Sequence, residues 1–148
     1  MTYSLECVAL TKEMEGLRLE PYHDVAGHAT IGYGHCTGVT MKDDPITPEE
    51  ADRMLRHDLD EAAKVVNARV RVPLTQGQFD ALCDFVFNLG SARFVDASCT
   101  LLRKLNEKSY QQASAEFYRW DKAVVEGKVV ALPGLTRRRA AERALFDS

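Results

Sequence analysis

Apolar side chains recur every three or four residues along much of this chain, a spacing that predicts amphipathic helices. The first such stretch covers residues 3–14. The longest begins after Thr47, a predicted N-cap, with Pro48 at the first helical position and Glu50 three residues after the cap. Its apolar positions continue at helical spacing through Ala51, Met54, Leu55, Leu59, Ala62, Ala63 and Val66. The pattern predicts a helix over about residues 48–67, roughly 30 Å long.

The second half of the chain predicts a succession of further helices. Thr75 is the expected N-cap of one that closes at Gly90. The later segments are then short helical pieces at about 92–96 and 98–107, a longer helix near 109–124, a loop or hairpin-like turn at 127–134, and a last helix over 135–146. We therefore expect this half to be almost wholly helical.

Residues 17–39 have a different character. They are rich in Gly, Tyr, Thr, His and Val, which is typical of short strands and tight turns. The predicted fold class is therefore α+β and mostly α. A small β-sheet lobe at about 15–46 is joined by the long helix to a larger all-α lobe, built from about 1–14 and 70–148. We expect one domain over residues 1–148.

Composition and charge exclude several classes of protein. The 148 residues are 45% hydrophobic and 28% charged, and no apolar run approaches the roughly 20 residues that span a bilayer. The net charge of −3 disfavours a nucleic-acid binder. Residues 1–60 hold 5 Lys and Arg against 12 Asp and Glu, while residues 61–148 hold 14 against 10. The cations of the second part can steer the protein toward an anionic partner.

The four cysteines, Cys7, Cys36, Cys83 and Cys99, allow two disulfides by three pairings. None lies in a CxxC motif, and no Cys/His cluster has the spacing of a zinc site. We favour the alternative in which they are free and act as small buried apolar side chains. The first residues carry no classical export signal, because charged side chains interrupt the apolar stretch that such a signal needs. The chain is therefore expected to be made and kept reduced in a cytoplasm.

Candidate chemistry lies where the first predicted helix meets the β-rich segment. Glu15 ends that helix, Asp24 falls at a predicted turn, and Thr30 begins a predicted strand. Two carboxyls held across a cleft can cleave a glycosidic bond, one as general acid and the other by activating water or attacking carbon. A hydroxyl such as that of Thr30 can orient the water. Composition alone equally fits solvated charges at turns.

The segment EGLRLEPYHDVAGHATIGYGH, residues 15–35, resembles the signature of the bacteriophage lysozyme (endolysin) family, glycoside hydrolase family 24. That signature has a Glu, an Asp nine residues later, a Thr six residues after it, and then a Gly-x-Gly-His. Further blocks of this chain resemble later family motifs in the same order: 46–51, 78–82, 87–90, 100–106 and 133–139. The resemblance thus covers nearly the whole chain, and implies a lysozyme-like fold with a cleft between the lobes.

The resemblance implies a role for each signature residue. Glu15 would be the general acid, Asp24 the base or transition-state stabiliser, and Thr30 would help to hold the attacking water. The family inverts the anomeric carbon, so the two carboxyls should lie about 6.5–9.5 Å apart. The implied substrate is the β-1,4 bond between N-acetylmuramic acid and N-acetylglucosamine in peptidoglycan, which would make the chain a muramidase. No metal or organic cofactor is implied.

Supporting roles are also implied for several residues. His35 and Asp58 match positions that pair in the family and tie the β-lobe to the interlobe helix. Arg137 or Arg138 would approach Glu15 and orient it, although an exposed basic run at a helix start explains these arginines equally well.

Two cleft-lining, substrate-binding candidates also follow from the resemblance. Cys36 falls on an apolar cleft position of the family, and Phe87 on an aromatic position near the sugar-binding groove. For both, plain packing is the alternative. The block at 93–100 is one residue longer than is usual in the family, so the local register there is open.

The resemblance also implies a biological setting. The enzyme would accumulate as a monomer in the host bacterial cytoplasm, without stable membrane insertion, and reach the wall when a holin-type protein makes a membrane lesion. Two alternatives remain. A lytic transglycosylase would cut the same bond but form a 1,6-anhydro ring, and an inactive peptidoglycan-binding module would keep the fold without catalysis.

Overall fold

The computed structural model describes residues 1–148. Seven helices, one 3₁₀ turn and two separate two-stranded sheets follow one another along the chain. In order they are α1 Leu5–Glu15, β1 Arg18–His23, β2 Ala29–Gly32, α2 Pro48–Arg69, α3 Gln76–Leu89, α4 Ser91–Val95, α5 Thr100–Asn106, α6 Tyr110–Ser114, the 3₁₀ turn Phe117–Trp120, β3 Lys122–Val125, β4 Lys128–Ala131 and α7 Pro133–Asp147. The fold is α+β and mostly α, as the sequence predicts.

The predicted helix starts at Thr47 and Thr75 are confirmed. In each case the threonine hydroxyl accepts the backbone N–H three residues later, and the side chain of Glu50 or Gln78 accepts from the N–H of the cap. Both are capping boxes, which satisfy two otherwise unpaired N–H groups at a helix start. Ser4 caps α1, so this helix begins two residues later than the pattern predicts.

The first hairpin lies between α1 and α2. Its strands β1 and β2 are antiparallel, with Tyr22 opposite Thr30. At its tip the backbone N–H of Asp24 donates to the carbonyl of His28 over 3.0 Å, and the N–H of Gly27 donates to the carbonyl of Asp24 over 2.9 Å. Gly27 has φ +86°, a conformation that glycine adopts without steric cost. Asp24 therefore lies at a turn between strands, as predicted.

The helix predicted near 109–124 is wrong. Helix α6 ends at Ser114, and after the 3₁₀ turn the chain enters the β3–β4 hairpin. Valine pairs flank Glu126 and Gly127, which both have positive φ, so strand-forming residues surround a two-residue turn. The predicted turn at 127–134 thus belongs to a hairpin that begins earlier, and α7 begins at Pro133, which occupies the first helical position.

The main core lies among the helices and centres on α3. Phe85 packs edge-on against Phe117, with ring centroids 5.2 Å apart, and also against Phe94 and Trp120. All four cysteines are free, as predicted, and three of them are buried. The expectation of burial is wrong for Cys36, which is exposed because it lies in the loop after β2. None of the helices is long and apolar enough to cross a membrane.

Candidate active site

An open cleft of about 630 Å³ separates the first hairpin from the helices. Its walls come from the hairpin tip, the loop at 34–37, helix α2, and the C-terminal end of α3 with the residues that follow it. Glu15 and Asp24 both line this cleft. The structure therefore brings together the two carboxyls that the sequence singles out.

Glu15 is the last residue of α1, and Gly16 with φ +69° ends the helix there. Its side chain is only 16% exposed, and Nη1 of Arg138 donates to its Oε1 over 3.1 Å. Gly34 closes another side of the carboxylate. A Cβ added to Gly34 would lie 2.6 Å from Oε2 of Glu15, so any larger residue at this position would have to displace the carboxylate. The Glu15 carboxylate is thus confined between a guanidinium and a glycine backbone.

Arg138 is itself held by a buried carboxylate on α3. Its Nε and Nη2 donate to the two oxygens of Asp84 over 2.9 and 2.8 Å, and Thr11 of α1 donates to Oδ1 of Asp84 over 2.7 Å. Burial acts to raise the pKa of Asp84, but the charge and hydrogen bonds of Arg138 outweigh burial and lower this pKa to about 2. The bidentate pair fixes the plane of the guanidinium that reaches Glu15.

A second arginine and a carboxyl complete the buried cluster behind Glu15. Oε1 of Glu142 lies 3.8 Å from Nε of Arg138, and Oε2 lies 3.4 Å from Nε of Arg139, but neither oxygen has a hydrogen-bond partner. Burial raises the pKa of Glu142 well above its ordinary value of 4.5. Burial thus favours the protonated form of Glu142, while the guanidinium groups of Arg138 and Arg139 keep their protons.

Asp24 is held by backbone groups of its own turn. Its Oδ1 accepts the N–H groups of Ala26 and His28 over 2.9 and 2.8 Å. Its Oδ2 lies 3.5 Å from Nδ1 of His28, and one third of the side chain is exposed. The turn therefore fixes the orientation of this carboxylate and leaves one oxygen open to solvent in the cleft.

Thr30 is close to Asp24 in the hairpin but does not line the cleft. It is 3% exposed, and its hydroxyl donates to the carbonyl of His28 over 2.9 Å. A hydroxyl that has donated its proton can still accept from water. The predicted role of Thr30 in holding water therefore stays a prediction.

The predicted pairing of His35 with Asp58 is present. Nδ1 of His35 lies 2.7 Å from Oδ2 of Asp58, which joins the loop after β2 to helix α2. Of the two arginine candidates, Arg138 contacts Glu15, whereas Arg137 is exposed and takes no part in this contact. The neighbouring charges of the basic run thus have different environments, because only one face of α7 points into the core.

Cys36 and Phe87 both line the cleft, which is where the resemblance places them. Phe87 also lies 5.8 Å from the guanidinium carbon of Arg138, measured to the ring centroid. Sequence reasoning missed Asp84, Gly34 and Asn88. A signal existed for Asp84, because it interrupts the apolar run 81–87 in the middle of a helix.

Comparisons with known proteins identify relatives that match nearly the whole chain. The phage lysozyme family model matches residues 12–142. The chain is 47% identical over 148 residues to an endolysin from Acyrthosiphon pisum secondary endosymbiont phage 1, covering 100% of this chain and 99% of that protein. It is 40% identical over 157 aligned positions to the endolysin of Salmonella phage P22, covering 100% and 99%.

A solved structure shows the same similarity in three dimensions. The muramidase domain of SpmX from Asticaccaulis excentricus superposes with a TM-score of 0.89 at 38% identity, covering 99% of this chain and 98% of that one. The family model, the relatives and the fold all span nearly the entire chain. The chain therefore belongs to the phage lysozyme family.

Proposed function

We propose that the protein is an endolysin that hydrolyses the β-1,4 bond between N-acetylmuramic acid and N-acetylglucosamine in bacterial peptidoglycan. Membership of the phage lysozyme family makes it a cell-wall hydrolase. The observation that supports the specific chemistry is the placement of Glu15 and Asp24 in one cleft with unlike surroundings. One carboxyl is confined and the other has an oxygen open to water, which suits an acid and a base.

In this proposal Glu15 is the general acid. The bound glycan covers a carboxyl that is already only 16% exposed, so water is excluded from the site of proton transfer. Arg138 fixes the direction in which Glu15 delivers its proton to the glycosidic oxygen. Asp24 accepts a proton from water as that water attacks the anomeric carbon on the opposite face, which inverts the configuration.

The remaining residues have supporting roles in the same proposal. Thr30 holds the hairpin turn and the attacking water, while His35 and Asp58 fix the loop that carries Gly34. Cys36 and Phe87 contact the glycan. No metal or cofactor enters the reaction. We further propose that residues 1–148 act as one monomeric domain and reach the wall from the host cytoplasm after a holin-type protein opens the membrane.

Glu15→Gln tests the assignment, and Glu13→Gln is the matched control, because Glu13 lies on the same helix and is exposed. The first variant should fold normally but lose clearing of chloroform-treated Gram-negative cells, while the second keeps it. Clearing near the wild-type rate by Glu15→Gln would refute the role of Glu15.

The products test the reaction type. NMR of the first product should show the α anomer, as expected for inversion at a β-linked sugar, and a β anomer would contradict it. Mass spectrometry should show a hydrated reducing end. A 1,6-anhydro product would instead identify a lytic transglycosylase, which the open oxygen of Asp24 disfavours.

A further inference from the structure

Asn88 lines the cleft but has no role in the proposed mechanism. It is the penultimate residue of α3 and lines the cleft beside Phe87. Behind it lies Arg139 of α7, whose Nη2 donates to Oδ1 of Asn88. An asparagine on the substrate side is thus joined to an arginine inside the protein.

The burial of Arg139 makes this contact informative. The residue is 1% exposed, its guanidinium carbon lies 4.9 Å from the centroid of the Phe85 ring, and its Nε and Nη1 have no hydrogen-bond partner. The Asn88 oxygen is therefore a principal hydrogen-bond partner of a buried cation. Losing that acceptor would leave the guanidinium still less satisfied.

The contact with Arg139 fixes the orientation of the Asn88 side-chain amide. A guanidinium has only donors, so the atom that it contacts must be the carbonyl oxygen and not the amide nitrogen. The nitrogen Nδ2 then lies on the other side. It has no protein partner and is not fully buried, and Asn88 lines the cleft, so Nδ2 is available to a ligand bound there.

We propose that Asn88 is a specificity-determining residue that donates a hydrogen bond from Nδ2 to an acceptor oxygen of the bound glycan, and that Arg139 positions it. This inference rests on the proposed function. The acceptor is a neutral oxygen of the sugar, either a ring hydroxyl or the carbonyl of an N-acetyl group. A donor held in one orientation loses little freedom on binding, which favours the correct ligand over one that lacks the acceptor.

Asn88→Asp separates the substrate contact from a structural role. Aspartate keeps the oxygen that Arg139 needs, so the variant should fold with an unchanged or higher Tm, but it places a second acceptor where Nδ2 donates. Asn88→Ala removes the donor without adding charge. With purified peptidoglycan we expect both variants to raise KM about tenfold, the cost of one hydrogen bond, with a smaller change in kcat.

The controls make the outcomes distinct. Gln111→Glu adds the same charge at an exposed position outside the cleft and should leave KM unchanged. A wild-type KM for Asn88→Asp would overturn the proposal and leave Asn88 a purely structural partner of Arg139. A raised KM for Asn88→Asp with a wild-type KM for Asn88→Ala would also overturn it, because the loss would then reflect charge repulsion alone.

Two substrate preparations identify the acceptor. On chemically de-N-acetylated peptidoglycan the effect of Asn88→Ala disappears if the acceptor is the N-acetyl carbonyl, and persists if it is a hydroxyl. Either result supports the proposal. Failure of the wild-type protein to release muramidase products would refute the proposed function, whereas normal wild-type products with unaffected Asn88 variants would refute only this inference.

Discussion

Glu15 and Asp24 face the same cleft but are held in opposite ways. The contact that orients Glu15 comes from Arg138, 123 positions later, and depends on Asp84 in a third helix. Every hydrogen bond to the Asp24 carboxylate comes from within four residues. The orientation of Glu15 thus depends on contacts among several helices, whereas the orientation of Asp24 depends on a single turn. Damage to the buried Asp84–Arg138 pair that holds Glu15 should therefore cost stability and activity together, while damage at Asp24 should cost activity alone.

The largest expected effect is at Asp84. Asp84→Asn removes the charge that pairs with a buried guanidinium, and breaking such a pair costs about 3–5 kcal/mol. Urea unfolding at pH 7 measures this loss, and wall clearing should fall with it. Asp24→Asn under the same conditions is the comparison. Equal stability of the two variants would mean that the buried cluster does not support Glu15.

The Asp84–Arg138 pair also predicts that the free energy of unfolding falls at acid pH. Because burial is outweighed by Arg138, which lowers the pKa of Asp84 from 3.8 to about 2, the stabilising contribution of Asp84 is nearly complete above about pH 5 and is lost progressively as the pH falls to 2 and below. The difference in unfolding free energy between the wild type and Asp84→Asn should shrink over that interval. A difference that stays constant from pH 7 to pH 2 would contradict the pairing.

A smaller effect on stability, but a large one on activity, is expected at Gly34. In Gly34→Ala the new methyl group would lie within 3 Å of the Glu15 carboxyl, and the residue must keep φ +74°. Gly38→Ala is a matched control, because Gly38 has the same φ and nothing within 4 Å. Both variants incur the backbone strain of about 1–2 kcal/mol. Only the first should also lose clearing activity by about 100-fold, since a small misplacement of a catalytic group suffices for that.

The contribution of Glu142 to stability should change with pH in the opposite direction to that of Asp84. Its raised pKa means that the folded state holds a proton which the unfolded state releases above its ordinary value of 4.5, so its contribution to stability falls as the pH rises. Glu142→Gln imitates the protonated form and removes this dependence. Thermal unfolding should show the variant gaining stability relative to the wild type as the pH rises above 4.5. A gain toward acid pH instead would show that Glu142 is charged in the folded protein.

The same division between local and distant contacts explains what the sequence predicts. The turn at Asp24 and the capping boxes at Thr47 and Thr75 depend on neighbours within a few residues, and local patterns are enough to locate these elements. The role of Asp24 follows from the family resemblance and not from the local pattern. Asp84 and Asn88 act through arginines of α7, more than fifty positions away. A one-dimensional pattern carries no record of which face of α7 meets α3, so it leaves Arg137 and Arg138 equivalent.

The wrong prediction of a helix at 109–124 has a different cause, which is local. Leu, Ala, Gln and Glu around α6 favour a helix, while the valines from 124 onward favour a strand, and a window that covers both averages the two signals. The Glu126–Gly127 turn decides between them, because its positive φ values fit a two-residue hairpin loop and no helix. Turn chemistry at a single pair of residues was the more informative signal.

The smallest expected effect on stability is at Asp24. Asparagine keeps the Oδ1 acceptor for the N–H groups of Ala26 and His28, so Asp24→Asn should change the unfolding free energy by less than about 0.5 kcal/mol. It removes the proton acceptor, however, and general base catalysis contributes about 10²–10⁴-fold. Clearing activity and urea unfolding measured on one preparation test both halves of this expectation. A variant that lost more than about 1 kcal/mol would show that the carboxylate charge, and not only its acceptor oxygen, holds the hairpin tip, and the contrast with the Glu15 side would then be one of degree.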